Sequence, residues 1–118
     1  MSTRSMVGYE DPETGRVRAV YCHSDGYPSR VIPILQEHYT TRECVEALVV
    51  NGQNRGLERL DKMEFYSDII GEDISIDESD NIGGFSSQGI DYTYILRADG
   101  VWIYRNWSGP WKEVRHGS

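Results

Sequence analysis

Apolar and polar positions along the chain follow three regimes. From 4 to 22 they alternate, from 29 to 51 they recur every three to four residues, and from 90 to 105 they alternate again. A period of two belongs to strands, and a spacing of three to four belongs to helices. The first alternation is cut by Asp11-Pro12-Glu13-Thr14-Gly15, where Pro presets φ and Gly takes a positive φ. It predicts a β-hairpin with arms 4–10 and 16–22. On the second arm Val17, Ala19 and Tyr21 alternate with Arg16, Arg18 and Val20.

His23-Ser24-Asp25-Gly26-Tyr27-Pro28-Ser29 reads as a loop, because Asp-Gly and Pro both interrupt regular structure. The spacing then predicts a helix over 30–39 with Ser29 as its N-cap and Pro33 in its first turn. Val31, Leu35 and His38 share one face, with Ile34 beside it. Thr40 and Glu43 have the capping-box spacing, and a second helix follows to Asn51 with Gly52 past its end. Cys44, Val45, Leu48 and Val49 form its inward stripe.

From 53 to 88 the periodicity fades. Short strands are expected at 63–67 and 74–76, and 81–89 has the composition of a long binding loop. The final segment is the clearest. Ile90, Tyr92, Tyr94 and Leu96 alternate with Asp91, Thr93, Ile95 and Arg97, and the chain returns through 101–105. Read as a two-residue turn, Asp99-Gly100 sets Arg97 opposite Trp102 and Tyr94 opposite Arg105, an arginine-on-aromatic face. Residues 106–111 turn again, and 112–115 add an edge strand. The expected architecture is α+β: an antiparallel β-sheet built from two hairpins with two α-helices packed on one face. One domain is expected over 1–118, with 1–52 the hairpin and helices, 53–89 a binding-loop region and 90–115 the second hairpin.

Charge narrows the partners. The 118 residues carry 19 acids and 12 bases, a net charge of −7. No Lys/Arg block is present, so the charge pattern suits neither a long nucleic acid nor an anionic membrane as partner. No run approaches the ~20 apolar residues of a membrane span. With no apolar leader, a cytoplasmic location is expected. Ten of the 12 bases are Arg (4, 16, 18, 30, 42, 55, 59, 97, 105 and 115) and only Lys62 and Lys112 are Lys. Arginine grips phosphate in a planar fork, which suits a small anion held in a pocket, although surface ion pairs use the same residues.

Catalytic and metal patterns are poorly met. Cys22 and Cys44 form no CxxC pair, and Cys22, His23, His38 and Cys44 fit no zinc spacing. His23, Ser24 and Asp25 are loop neighbours rather than a triad, and no nucleophile elbow is present. A Cys22–His38 pair has nothing in the sequence to position it. The acids between 72 and 80 lack the calcium-loop register. Gly83-Gly84 lacks a phosphate-loop lysine. No cofactor, metal or catalytic residue is expected. What is present suits nucleotides. Tyr27, Phe85, Tyr92, Trp102 and Tyr104 offer rings for a base. Arg30, Arg59, Arg97, Arg105 and Arg115 offer forks for phosphate. Asn81, Gln88 and Asn106 offer polar edges. On strands, the rings serve equally as packing.

Three stretches carry a resemblance: Met1-Ser2-Thr3-Arg4-Ser5-Met6, then 20–28 with the string YCHSDGYP, then Leu35-Gln36-Glu37-His38-Tyr39-Thr40-Thr41. Over its first fifty residues the chain resembles a family of small phage proteins that includes the Thoeris anti-defence sponges. The resemblance implies a phage protein in the bacterial host cytoplasm that sequesters immune signalling nucleotides without cleaving them. It implies glyco-cyclic ADP-ribose isomers as ligands, with cyclic di- or trinucleotides of CBASS systems taken by some members. It implies dimers that assemble into hexamers. It places a phosphate contact at Arg30, a base-stacking ring at Phe85, and a second arginine at Arg115 or Arg105, with Arg59 a weaker match. The residues alone add Tyr27 and Asn106. Residues 54–81 depart from the family pattern. The alternative is an acidic phage protein that inhibits a host defence protein, such as a CRISPR effector, by direct binding through its 72–80 loop; a third is a small nucleotide hydrolase. A charge of −7 repels anions at range, but screening within ~8 Å leaves close arginine contacts effective.

Overall fold

The computed structural model describes residues 3–52, 54–59, 62–63, 76–82, 90–107 and 109–114. Among them the chain forms β1 (Ser5–Glu10), β2 (Val17–Ser24), α1 (Pro28–His38), α2 (Arg42–Asn51), β3 (Asn54–Gly56), β4 (Asp77–Ser79), β5 (Tyr92–Leu96), β6 (Trp102–Asn106) and β7 (Lys112–Glu113). The strands make one mixed sheet in the order β3-β2-β1-β5-β6-β7, with β4 on the same edge of β2 as β3.

The α+β class holds, but the sheet is not purely antiparallel. β1 and β5 run parallel, Val7 beside Tyr94, and so do β2 and β3, Cys22 beside Asn54. The two hairpins are joined through β1 and β5, which buries both strands at the centre of the sheet. Gly8 shows how tight the β1–β2 pairing is. A Cβ there would fall 2.0 Å from the Arg18 carbonyl and 2.6 Å from Ala19 Cα.

Both faces are apolar. Val7, Val20, Cys22, Tyr94, Leu96 and Trp102 share one buried cluster with Val31, Leu35 and Tyr39 of the α1 segment and Val45, Leu48 and Val49 of α2. Met6, Val17, Ala19, Ile95 and Ile103 form a second cluster, against which Ile82, Ile90 and Trp111 pack. Strand alternation assigns these sets to opposite faces.

The first hairpin follows its turn chemistry. Asp11 Oδ1 accepts from the N–H groups of Glu13 and Thr14 at 2.8 and 3.2 Å, and Gly15 takes φ +75°. Those amides hold the Asp11 carboxyl below its usual range.

Helix α1 begins two residues earlier than the spacing predicts. Tyr27, not Ser29, is its N-cap, and Pro28 takes N1, where its fixed φ suits the helix. Pro33 therefore lies in the second turn. Tyr39 rather than His38 completes the buried stripe with Val31 and Leu35, because the spacing is i, i+4, i+8. Helix α2 is capped by Thr41, one residue later than the Thr40–Glu43 box. The Thr41 hydroxyl accepts from Cys44 N at 3.4 Å, and Gly52 closes the helix at φ +86°. Arg42 ties its start to the sheet, donating to the carbonyls of Glu10 and Arg97 at 2.7 and 3.0 Å.

The second hairpin slips by one residue from expectation. Leu96 faces Trp102, Tyr94 faces Tyr104 and Thr93 faces Arg105. Arg97 and Val101 close a three-residue loop, with Gly100 at φ +88°. This is the longer hairpin turn that places Gly in the left-handed position. A one-residue slip exchanges faces. Tyr94 therefore stacks on Tyr104 at 5.9 Å, while Arg105 crosses to the opposite face and lies 4.5 Å over Trp111. The expected edge strand at 112–115 is the two-residue β7. Strands β3 and β4 were not anticipated. Of the strands expected at 63–67 and 74–76, only Met63 and Ile76 are described, and both pack on the helix-side cluster. Among the described residues no helix is long and apolar enough to cross a membrane.

Candidate functional site

The end of the sheet where β2 and β6 finish and β1 and β5 begin gathers most of the described candidate residues. One row of paired positions crosses it: Asn54, Cys22, Ser5, Tyr92 and Asn106. Pairing keeps this row on the helix-bearing face, so Asn106 stands two strands, ~10 Å, from Ser5. Helix α1 starts at the same end, because the loop after β2 is short and Pro28 fixes its first turn.

That loop is pinned from three sides. Gly26 N donates to the Thr3 carbonyl at 2.9 Å, and Tyr94 Oη donates to the Gly26 carbonyl at 2.7 Å. Gly26 also packs on Ser5: an added Cβ would lie 2.5 Å from Ser5 Cβ. Asp25 is held at φ +58°, and Tyr27 is left 41% exposed. Arg30 follows in the first helical turn. Its Nη1 donates to the Leu57 carbonyl at 2.7 Å, and its Nη2 meets Glu58 Oε1 at 2.9 Å. Two of five guanidinium donors are thereby engaged in the described structure. Arg59 is exposed one residue beyond Glu58.

Arg105 and Asn106 are neighbours with different fates. Asn106 is exposed at the end of β6 on the helix-bearing face, and Arg105 belongs with Trp111 on the other. The structure therefore brings Tyr27, Arg30 and Asn106 to one end and face, and sends Arg105 elsewhere. Phe85, Gln88 and Arg115 lie outside the described residues.

Other candidates are taken up by the fold. Trp102 is 7% exposed and donates Nε1 to the Tyr39 carbonyl at 3.1 Å. Tyr92, Tyr94 and Tyr104 stack in a row, at 6.4 and 5.9 Å. Arg97 pairs with Asp99 at 2.9 Å and Glu113 at 3.7 Å.

The Cys22 thiol is wholly buried. Burial pushes it up to about 11, against the smaller opposing effects of Asn54, Ser5 and Arg30. A thiol held protonated is a poor nucleophile. His23 Nδ1 lies 3.0 Å from the Tyr21 hydroxyl. Among the described residues no three His, Cys, Asp or Glu side chains converge as metal ligands.

Two cavities lie at the other end of the sheet. A cleft of about 390 Å³ runs between α1 and the β5–β6 turn, lined by Leu35, Tyr39, Val101, Trp102, Glu113 and Val114 among others. Its charged lining residue is a carboxylate, which disfavours an anion. A smaller hollow of about 120 Å³ contains Arg16 and Arg18 beside Tyr9. Both arginines pair with Glu78, at 3.5 and 2.8 Å.

No family model, curated protein or solved structure matches this chain.

Proposed function

We propose that the chain is a phage anti-defence sponge, which holds small cyclic signalling nucleotides and does not cleave them. The observation that carries this reading is that Tyr27, Arg30 and Asn106 lie at one end of the sheet, on the side that bears the helices. Arg59 follows the carboxylate that Arg30 grips. A ring, a fork and an amide are the three contacts a nucleotide needs: stacking, phosphate and base edge. The ligand class is the glyco-cyclic ADP-ribose isomers, with cyclic di- and trinucleotides as further candidates. Phe85 and Arg115 complete the site in this proposal. Sequestration calls for nanomolar affinity, about −12 kcal/mol. The same proposal includes a dimer that builds a hexamer, which light scattering reads directly.

The test is capture and release. The protein is incubated with cyclic ADP-ribose isomers and cyclic di- and trinucleotides, filtered free of excess and heat-denatured. Mass spectrometry then identifies what is released. Intact ligand near one per site supports the sponge. Altered ligand makes the protein a hydrolase. Retention of nothing, together with capture of a host defence protein, favours direct inhibition of that protein.

A further inference from the structure

Trp107 follows β6 at the same end of the sheet and is 56% exposed. Its φ is +54°, in the left-handed region that bulky side chains rarely enter. Glycine fills such positions without steric cost, and this chain places glycine two residues later, where Gly109 N donates to the Asn106 carbonyl at 3.0 Å. Strain of this kind persists where the surroundings hold it, and an aromatic so exposed recovers little of its cost by burial. The surroundings here are specific. Trp107 N donates to the Asp91 carbonyl at 3.0 Å. Asp91 N donates to the Arg4 carbonyl at 3.1 Å, and Arg4 N donates to Asp91 Oδ2 at 2.9 Å. The ends of β1, β5 and β6 are thus laced together through Asp91, with exposed Arg4 and Trp107 on either side of it in the bonding chain.

We infer that Trp107 is a ring-stacking platform at this end of the sheet and that Arg4, tied to it through Asp91, is an anion contact, together fitting a purine ring that carries phosphate. The inference rests on the nucleotide reading and deepens it. Trp suits the role because it offers a large rigid face with only two side-chain torsions to order. Arg4 adds a charge-assisted donor at the end of the sheet that also presents Arg30.

The test uses the full chain with cyclic ADP-ribose and 3′,3′-cyclic di-adenosine monophosphate as probes. Calorimetry gives Kd, tryptophan fluorescence reports stacking, and thermal melts report the fold. Trp107→Ala is expected to bind at least about tenfold more weakly, in line with the loss of one stacked base. Trp107→Phe is expected to keep most of the affinity while losing much of the ligand-induced quenching. Arg4→Ala is expected to bind more weakly and with a shallower salt dependence. Trp107→Gly separates function from structure: binding falls while Tm rises, because glycine removes the strain. Wild-type binding with Trp107→Ala within twofold of it overturns this inference and leaves the nucleotide reading standing. A lower Tm in Trp107→Gly also overturns it, since the indole then serves the fold. If the wild type binds neither probe in calorimetry nor any nucleotide in the capture assay, both readings fall together.

Discussion

The hydroxyl of Tyr94 donates to the carbonyl of Gly26 at 2.7 Å, joining residues 68 positions apart. The bond fastens the loop that carries Tyr27 and starts α1 to the centre of the sheet. Tyr94 is fully buried, and burial raises its hydroxyl well above the usual range, so the proton needed for donation is retained. Removing the hydroxyl leaves a buried carbonyl without its donor, which costs about 1–3 kcal/mol. Tyr94→Phe is therefore expected to unfold at lower urea with an unchanged m value, and to bind nucleotide more weakly because Tyr27 and Arg30 lose their anchor. Equal midpoints for the two proteins would refute the role assigned to this bond.

Gly8 makes the sharpest packing prediction. The atoms that a Cβ would strike are the Arg18 carbonyl and Ala19 Cα, both backbone, in the middle of the β1–β2 ladder. No side-chain rotation relieves that clash, so Gly8→Ala must separate the strands. A loss above ~3 kcal/mol is expected, in the range reserved for disrupted cores. Gly15→Ala is the control. Nothing lies within 4 Å of its Cβ, and only its φ of +75° opposes substitution. Its cost is expected at ~1–2 kcal/mol. Chemical denaturation of the two variants side by side checks the order.

Where these features were legible in sequence, local chemistry made them so. Asp11 through Gly15 dictate their own turn, and the α2 stripe ending at Gly52 dictates its own helix. The second hairpin misled because Asp99-Gly100 is the signature of a two-residue turn, while Ala98 joins it to make three. One residue then moved Arg105 to the other face. The parallel β1–β5 pairing leaves no local trace, since its partners are separated by most of the chain. Strands β3 and β4 are three residues each, Asn54-Arg55-Gly56 and Asp77-Glu78-Ser79, and take their state from the edge of β2. The candidate residues Tyr27, Arg30 and Asn106 were legible as types. That Arg30 meets Leu57 and Glu58 was not, because β3 delivers those residues. The φ of Trp107 has no sequence signature at all.

Cys22 sets a pH dependence. Its folded-state value of about 11 lies above the ordinary 9.0 because a buried thiolate is poorly solvated. Between those values the unfolded chain has lost the proton and the folded chain retains it. Stability therefore falls as pH rises from 9 toward 11, and is fully present below 9. The shift corresponds to about 3 kcal/mol at most. Tyr39 and Tyr94 are raised by burial as well and act in the same direction at higher pH. Urea midpoints of the wild type are expected to drop between pH 8.5 and 10.5, and those of Cys22→Ala to drop less. A thiol reagent at pH 8 is expected to modify half-buried Cys44 well before Cys22.

Glu58 carries the last prediction. Its carboxylate lies 2.9 Å from the Arg30 Nη2 and is half exposed, as Arg30 is in part. Such a pair contributes under ~1 kcal/mol to stability, because water screens both partners. In the proposed site its effect on a phosphate would be larger in consequence, since the carboxylate neutralises the fork that would receive it. Glu58→Gln removes the charge and keeps an oxygen that accepts from Nη2. The Leu57 and Tyr39 contacts go to backbone carbonyls and are untouched by the substitution. The variant is expected to melt within a degree or two of the wild type and to bind anionic nucleotides several-fold more tightly, most clearly at low salt. Arg30→Ala is expected to lose that gain and most of the binding. If Glu58→Gln and wild type bind alike across salt, Arg30 does not meet the phosphate and serves only to fasten 57–58 to α1.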